Sequence, residues 1–112
     1  MICINKQTAL LLRAQEGEVS PVLYEGDLNE LCQMLDCDTV AFLLLAPGVG
    51  VFYPDETESR FGFSVEHVNG NGIVFRGSGL IVGDDDGNPA SLDINPRDLK
   101  IKSVEYANCK ED

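Results

Sequence analysis

Thr39-Val-Ala-Phe-Leu-Leu-Leu-Ala46, followed by Pro47-Gly48 and Val49-Gly-Val-Phe-Tyr53, is the stretch on which the fold turns. The first run is unbroken in its apolar character, holds β-branched and aromatic members, and is too short for a helix to be the better reading. Pro47-Gly48 turns the chain, and 49–53 follows as the hairpin partner. A strand without polar alternation is one covered on both faces, so 39–46 is expected to be the central strand of the sheet. From Thr39 to Pro47 the run is about half the length of a membrane-crossing helix, and no longer apolar stretch exists in the chain.

On the N-terminal side of this hairpin lies the clearest helix signal. Leu28, Leu31, Cys32 and Leu35 recur at i, i+3, i+4 and i+7, one face of a helix. Asp27 with Glu30 three residues on forms an acidic capping box, and both acids suit the positive end of the helix dipole. The spacing predicts a helix over 27–36. Before it, 19–25 carries Pro21 and reads as an edge strand, and the first thirteen residues read as a strand pair or a bent strand.

On the C-terminal side, Pro54–Ser59 is an acidic loop, and Phe61, Phe63 and Val65 alternate on one face of a half-buried strand over 60–66. Asn69-Gly70-Asn71-Gly72 holds two Asn-Gly pairs suited to positive φ in a tight turn. Strands are expected at 73–75, 80–83, 90–94 and 99–106, the last with a slip in alternation at Ser103 that fits a bulge. One helix among many strands predicts an α+β domain, mainly antiparallel, built as a single curled sheet or open barrel with the helix on one side. The length of 112 residues is that of a single domain; no repeat or linker divides 1–112.

Apolar residues make up 44% and charged residues 24%, as in globular chains. The balance of charge is less ordinary: 19 acids against 8 bases give a net charge of −11. Such a field repels nucleic acid and anionic lipid at long range, and argues against unaided binding to either. With no signal-peptide pattern at the start, the chain reads as a soluble, cytoplasmic protein. In that compartment Cys3, Cys32, Cys37 and Cys109 are expected as reduced thiols, with Cys3 and Cys32 in the core. Cys32-x4-Cys37 is the single near pair, and the metal reading of the cysteines rests on it.

Three other motifs fall short of a site. Asp84, Asp86 and Asn88 alternate as the first ligands of a calcium loop do, but Pro89 stands where the glycine is needed and Asn95 where the closing glutamate is needed. Gly77, Gly79 and Gly83 are not followed by a helix or by Lys-Ser/Thr, so the anion site lacks its main component. His67 has Glu66 beside it, but neighbours in a strand point to opposite faces; it reads as a surface residue at a turn. No catalytic residue, metal site or cofactor is assigned.

The arrangement of charge carries more. From Glu16 to Glu66 eleven acids face the single base Arg60, while Arg97, Lys100, Lys102 and Lys110 gather near the end. Asp27, Glu30, Asp36 and Asp38 on and after the helix, with Asp55, Glu56 and Glu58 in the loop, form the candidate binding face. Its partner would be a protein with a basic surface, reached faster and more selectively through complementary charge. An extreme form imitates the DNA phosphate array and occupies the nucleic-acid site of another protein. The competing class is a small enzyme or ligand-binding domain with a pocket between helix and sheet, recognisable by a pocket holding His67, a cysteine and a carboxylate together.

Leu28-Asn-Glu-Leu31, Thr39-Val-Ala-Phe-Leu-Leu44, Tyr53-Pro-Asp-Glu56 and Arg76-Gly-Ser-Gly-Leu-Ile-Val-Gly-Asp-Asp-Asp-Gly87 follow one another in the order of a known pattern. Over 27–92 the chain resembles a family of short uncharacterised proteins carried by phages, plasmids and bacterial genomes. Where that family has a Leu-Pro-x-Asn-like stretch, this chain has Phe61-Gly-Phe-Ser64. The resemblance implies a mobile-element origin and carries no catalytic residue over. Together with the charge, it leads to the expectation of a non-enzymatic accessory protein that binds another protein through its acidic face.

Overall fold

The computed structural model describes residues 7–25, 27–57, 59–85, 88–90 and 96–105. Its elements follow in the order β1 (Gln7–Arg13), β2 (Glu18–Tyr24), α1 (Leu28–Leu35), β3 (Val40–Ala46), β4 (Val49–Pro54), β5 (Phe61–His67), β6 (Gly72–Arg76), β7 (Gly79–Asp85) and β8 (Asn88–Ala90). A 3-10 turn at Pro96–Asp98 then leads into β9 (Leu99–Glu105). All pairings between the strands are antiparallel. They form two sheets, one in the order β2-β1-β7-β4-β3 with β8 also on β7, the other in the order β6-β5-β9. The expected mainly antiparallel arrangement with one short helix is present. It is split into two sheets that do not close into a barrel, and strands dominate it, so the molecule is mainly β.

The larger sheet is the middle of three layers. Leu12, Leu45, Val49, Val51 and Ile81 project from one face onto Phe63, Val65, Phe75 and Leu99 of the smaller sheet. Ala9, Leu11, Leu80 and Val82 project from the other face onto Leu31 and Leu35 of α1 and onto Tyr24. Burial on both sides explains why β1 and β7 lack polar alternation.

β7 is therefore the central strand, between β1 and β4, and the expectation that 39–46 is central is wrong. β3 lies at the edge. Its Leu43 and Leu45 face the smaller sheet, while Phe42 and Leu44, on the helix side, are each 42% exposed. α1 packs mainly over β4 and Val40 lies against the helix-side core, so Phe42 and Leu44 further along β3 are left partly open. An apolar run of this length states that a strand is greasy, not that it is central.

Local expectations fare better. The 46–49 hairpin is present with a register shift between Leu44 and Ala46, and Gly48 has φ +87°, the pairing of Pro with a positive-φ Gly that a type II turn calls for. Pro21 sits in an edge strand, opposite Leu10. The bulge expected at Ser103 does not occur: β9 pairs with β5 in one register from Leu99 to Glu105. Ser103 takes an inward-facing register position at the sheet's end, next to Gly17 of the β1–β2 turn, where a small polar residue suffices. Neither Gly70 nor Gly72 has positive φ. Gly70 is needed for another reason, since a Cβ there would strike the Leu45 carbonyl oxygen. The turn expected at 84–87 and the strand at 90–94 lie partly outside the described residues; β7 and β8 flank that turn as strands.

Candidate protein-binding surface

α1 fixes three of the predicted acids. Asp27 is the N-cap, its carboxylate accepting the Asn29 N–H at 3.2 Å as capping requires. Glu30 does not close the reciprocal box on Asp27; its carboxylate reaches further back and accepts the Glu25 N–H at 2.8 Å. Asp36 ends the helix in the left-handed region at φ 53°, which short polar side chains tolerate best after glycine. The Cys37 N–H donates to the Cys32 carbonyl at 3.0 Å across this cap. The predicted helical face is buried at Leu31 and Leu35, half-buried at Cys32, and open at Leu28, which is 61% exposed.

The loop after β4 is tied to the start of β3, the Asp55 N–H donating to the Thr39 carbonyl at 3.0 Å. That link carries Glu56 to the C-terminal end of α1. Asp36, Asp38 and Glu56 converge on a groove of about 470 Å³ that also exposes Asn29, Cys32, Gln33 and Cys37. All three acids are exposed, and among the described residues no lysine or arginine lines the groove. Asp55 flanks it and is exposed too.

The predicted face thus divides. Asp36, Asp38, Asp55 and Glu56 come together, whereas Asp27 and Glu30 lie at the start of the helix, about 14 and 9 Å from Asp36 along the axis at 1.5 Å per residue. Glu30 serves the chain entry to the helix and, with Asp84, raises the pKa of the buried Tyr24 after the larger effect of burial itself. Glu58 lies outside the described residues.

Cys32 and Cys37 are free thiols in this groove, and Cys3 and Cys109 lie outside the described residues. Cys32 is half-buried, not in the core as expected, its thiol donating to the Asp38 carbonyl at 3.4 Å. It is Cys37 that packs against the helix-side core. Burial pushes the Cys37 thiol up to about 11, helped by Cys32 and by the charges of Asp38 and Asp36. Among the described residues no three His, Cys, Asp or Glu side chains are placed to hold a metal ion.

A pH dependence follows. The folded state favours protonated Cys37, so its contribution is fully present below the unfolded thiol value near 9.0 and is lost as pH rises through about 11. Urea midpoints measured from pH 8 to pH 11 are expected to fall over that window, and less steeply in Cys37→Ala. Identical slopes for the two proteins would contradict this placement of Cys37.

His67 is buried, at 9% exposure, which corrects its reading as a surface residue. It closes the β5–β6 connection. Its Nδ1 accepts the Asn69 N–H at 3.1 Å and its own N–H donates to the Asn71 carbonyl at 3.0 Å. A concavity of about 930 Å³ opens between the end of α1, β1 and the loop before β5, and includes Arg13, Glu16, Asp36, Arg60 and Ser78. It contains neither His67 nor a cysteine. The constellation that would mark an enzyme pocket is therefore not assembled there.

Sequence reasoning missed Phe42 and Leu44, two partly exposed apolar side chains on β3, the strand that follows Asp38. No local signal could have found them, because their exposure depends on where α1 ends over the sheet. No helix among the described residues is long and apolar enough to cross a membrane. The chain matches no protein-family model, and no curated protein or solved structure is similar to it at a significant level. The resemblance over 27–92 rests on the quoted residues alone.

Proposed function

We propose that the chain is a non-enzymatic accessory protein that binds another protein through the carboxylates at the C-terminal end of α1 and in the β4–β5 loop. One observation carries the reading: Asp36 and Asp38 share an exposed groove with Glu56, distant in sequence, and no cation lines it among the described residues. Unpaired carboxylates held close together repel one another and are relieved by a cationic partner. The net charge of −11 adds long-range attraction to a basic surface and repels nucleic acid and anionic lipid. A mobile-element setting, suggested by the resemblance, fits such a role but adds no residue to it. The partner's basic surface includes, as one case, the nucleic-acid site of another protein.

A pull-down from host extract tests this at two salt concentrations. Capture is expected at low salt and reduced severalfold above about 0.5 M, where screening leaves only contacts shorter than about 5 Å. Asp38→Lys/Asp55→Lys/Glu56→Lys is expected to abolish it. A partner held equally by this variant and by wild type would refute the acidic face. The second reading, a small-ligand domain, draws on the concavity beside Arg13 and Arg60.

A further inference from the structure

We infer that the outer edge of β3 receives an extended, lysine- or arginine-bearing segment of the partner protein as an added strand. The inference rests on the acidic-face reading and specifies how that face is used. β3 ends the larger sheet, and its sequence Val40-Ala-Phe-Leu-Leu-Leu-Ala46 carries neither charge nor proline to resist pairing; its one irregularity, the register shift between Leu44 and Ala46, lies at the end away from Thr39. β2, at the opposite edge, carries Pro21 and Glu18.

The backbone register fixes which groups are on offer. The Asp55 N–H bonds the Thr39 carbonyl in the register that continues as Val40–Pro54, Ala41–Tyr53 and Phe42–Phe52. Bonded and non-bonded pairs alternate in an antiparallel ladder. Thr39, Ala41 and Leu43 therefore spend their backbone groups on β4, and Val40, Phe42 and Leu44 turn theirs outward. The Leu44 carbonyl bears this out, accepting from the Asn71 side-chain amide at 3.2 Å. That contact and the Asn71 N–H to the Leu45 carbonyl at 2.7 Å close the far end of the edge. About five residues, 39–43, stay available, about 17 Å of strand. The exposed side chains of Phe42 and Leu44 border this stretch.

Charge chooses the occupant. Asp38, Asp55 and Glu56 stand at the open end of the edge, so the incoming strand places its cations there and apolar side chains beside Phe42. A second copy fits badly. Antiparallel self-pairing about Phe42 would set residue 38 of one copy against residue 46 of the other, where the Asn69–Asn71 turn already sits, and two chains of net charge −11 repel.

The probe is a labelled, end-blocked peptide of three lysines followed by alternating valine and threonine, titrated into the whole protein by fluorescence anisotropy with amide NMR. The same peptide is tested with alternate backbone nitrogens methylated, in both registers. Saturable binding is expected, weakened roughly tenfold or more by one methylation register, since each lost hydrogen bond leaves an unsatisfied partner. The Val40 and Phe42 amide signals should shift. Phe42→Pro, which deletes an outward N–H from an edge strand where proline is tolerated, should weaken binding likewise. If that variant fails to fold, the methylated peptides still decide. Binding unaffected by methylation but lost on charge reversal at Asp55 and Glu56 would overturn the edge and leave the acidic face standing. Binding sensitive to methylation but indifferent to salt and charge reversal would overturn the basic occupant and the acidic face. Absence of binding up to about 1 mM would overturn the inference.

Discussion

Leu80→Ala is expected to lower the stability of the fold by about 3–4 kcal/mol, while Phe42→Ala costs less than about 1 kcal/mol. Leu80 has no exposed surface and lies in β7 between β1 and β4, over Leu31 and Leu35 of α1. Three neighbours hold its surroundings in place, so the lost side chain leaves a cavity that cannot collapse, and transfer and cavity terms add. The ring of Phe42 is larger but sits at the rim. It leans over Gly50 and meets Phe52 at 4.8 Å between centroids, with 42% of the residue open to water. Truncation there lets solvent into space it already borders. Urea denaturation with shared m-values measures both. Against a total of about 5–15 kcal/mol for a domain, the first change is severe and the second minor. Equal losses would mean that β3 is covered and β7 is not central.

The same pair of residues shows what could be read from sequence. Elements whose cause is local were legible: α1 from its leucine spacing and Asp27, the 46–49 hairpin from Pro47-Gly48, and β5 from the alternation of Phe61, Phe63 and Val65. Strand order was not, because Val40–Ala46 and Leu80–Val82 are both apolar runs and only pairings far apart in sequence separate edge from centre. For the binding face, the nearness of Asp36 and Asp38 follows from one helix end. Glu56 joins them through the Asp55–Thr39 bond, a long-range event. The charge pattern puts Asp27 and Glu30 on the same face, yet the helix start uses both carboxylates to accept backbone N–H groups. His67 differs from its sequence reading for a related reason: a turn predicts exposure, but this one folds back under the Leu44 and Leu45 carbonyls.

Gly62→Ala is expected to cost about 3 kcal/mol and to unseat β6. Gly62 lies in β5, the middle strand of the smaller sheet, opposite Arg76 on one side and Val104 on the other. A Cβ on it would overlap the Phe75 carbonyl oxygen and approach the Arg76 Cα to 2.8 Å. These are backbone atoms, so no rotamer change relieves the clash and the strand itself must move. Movement there displaces Phe75, which is 5% exposed, stacks on Tyr53 at 5.4 Å and lies tilted to Phe63 at 6.4 Å. Much of the core between the sheets therefore shifts with one methyl group. Gly72→Ala is the contrast: its nearest contacts are the flexible Glu66 side chain and the Val65 carbonyl, both at 3.3 Å, and it should cost less than about 1 kcal/mol. Near-ultraviolet circular dichroism should report loss of the Tyr53–Phe75 stack in the first variant and not in the second. The disturbance should also reach β3, because Leu43 and Leu45 rest on this smaller sheet. Gly62→Ala should therefore broaden the Val40 and Phe42 amide signals although it lies in another sheet. A Gly62→Ala protein with wild-type urea midpoint and aromatic spectrum would show that Phe75 does not close over β5, and that the edge of β3 is held by the larger sheet alone.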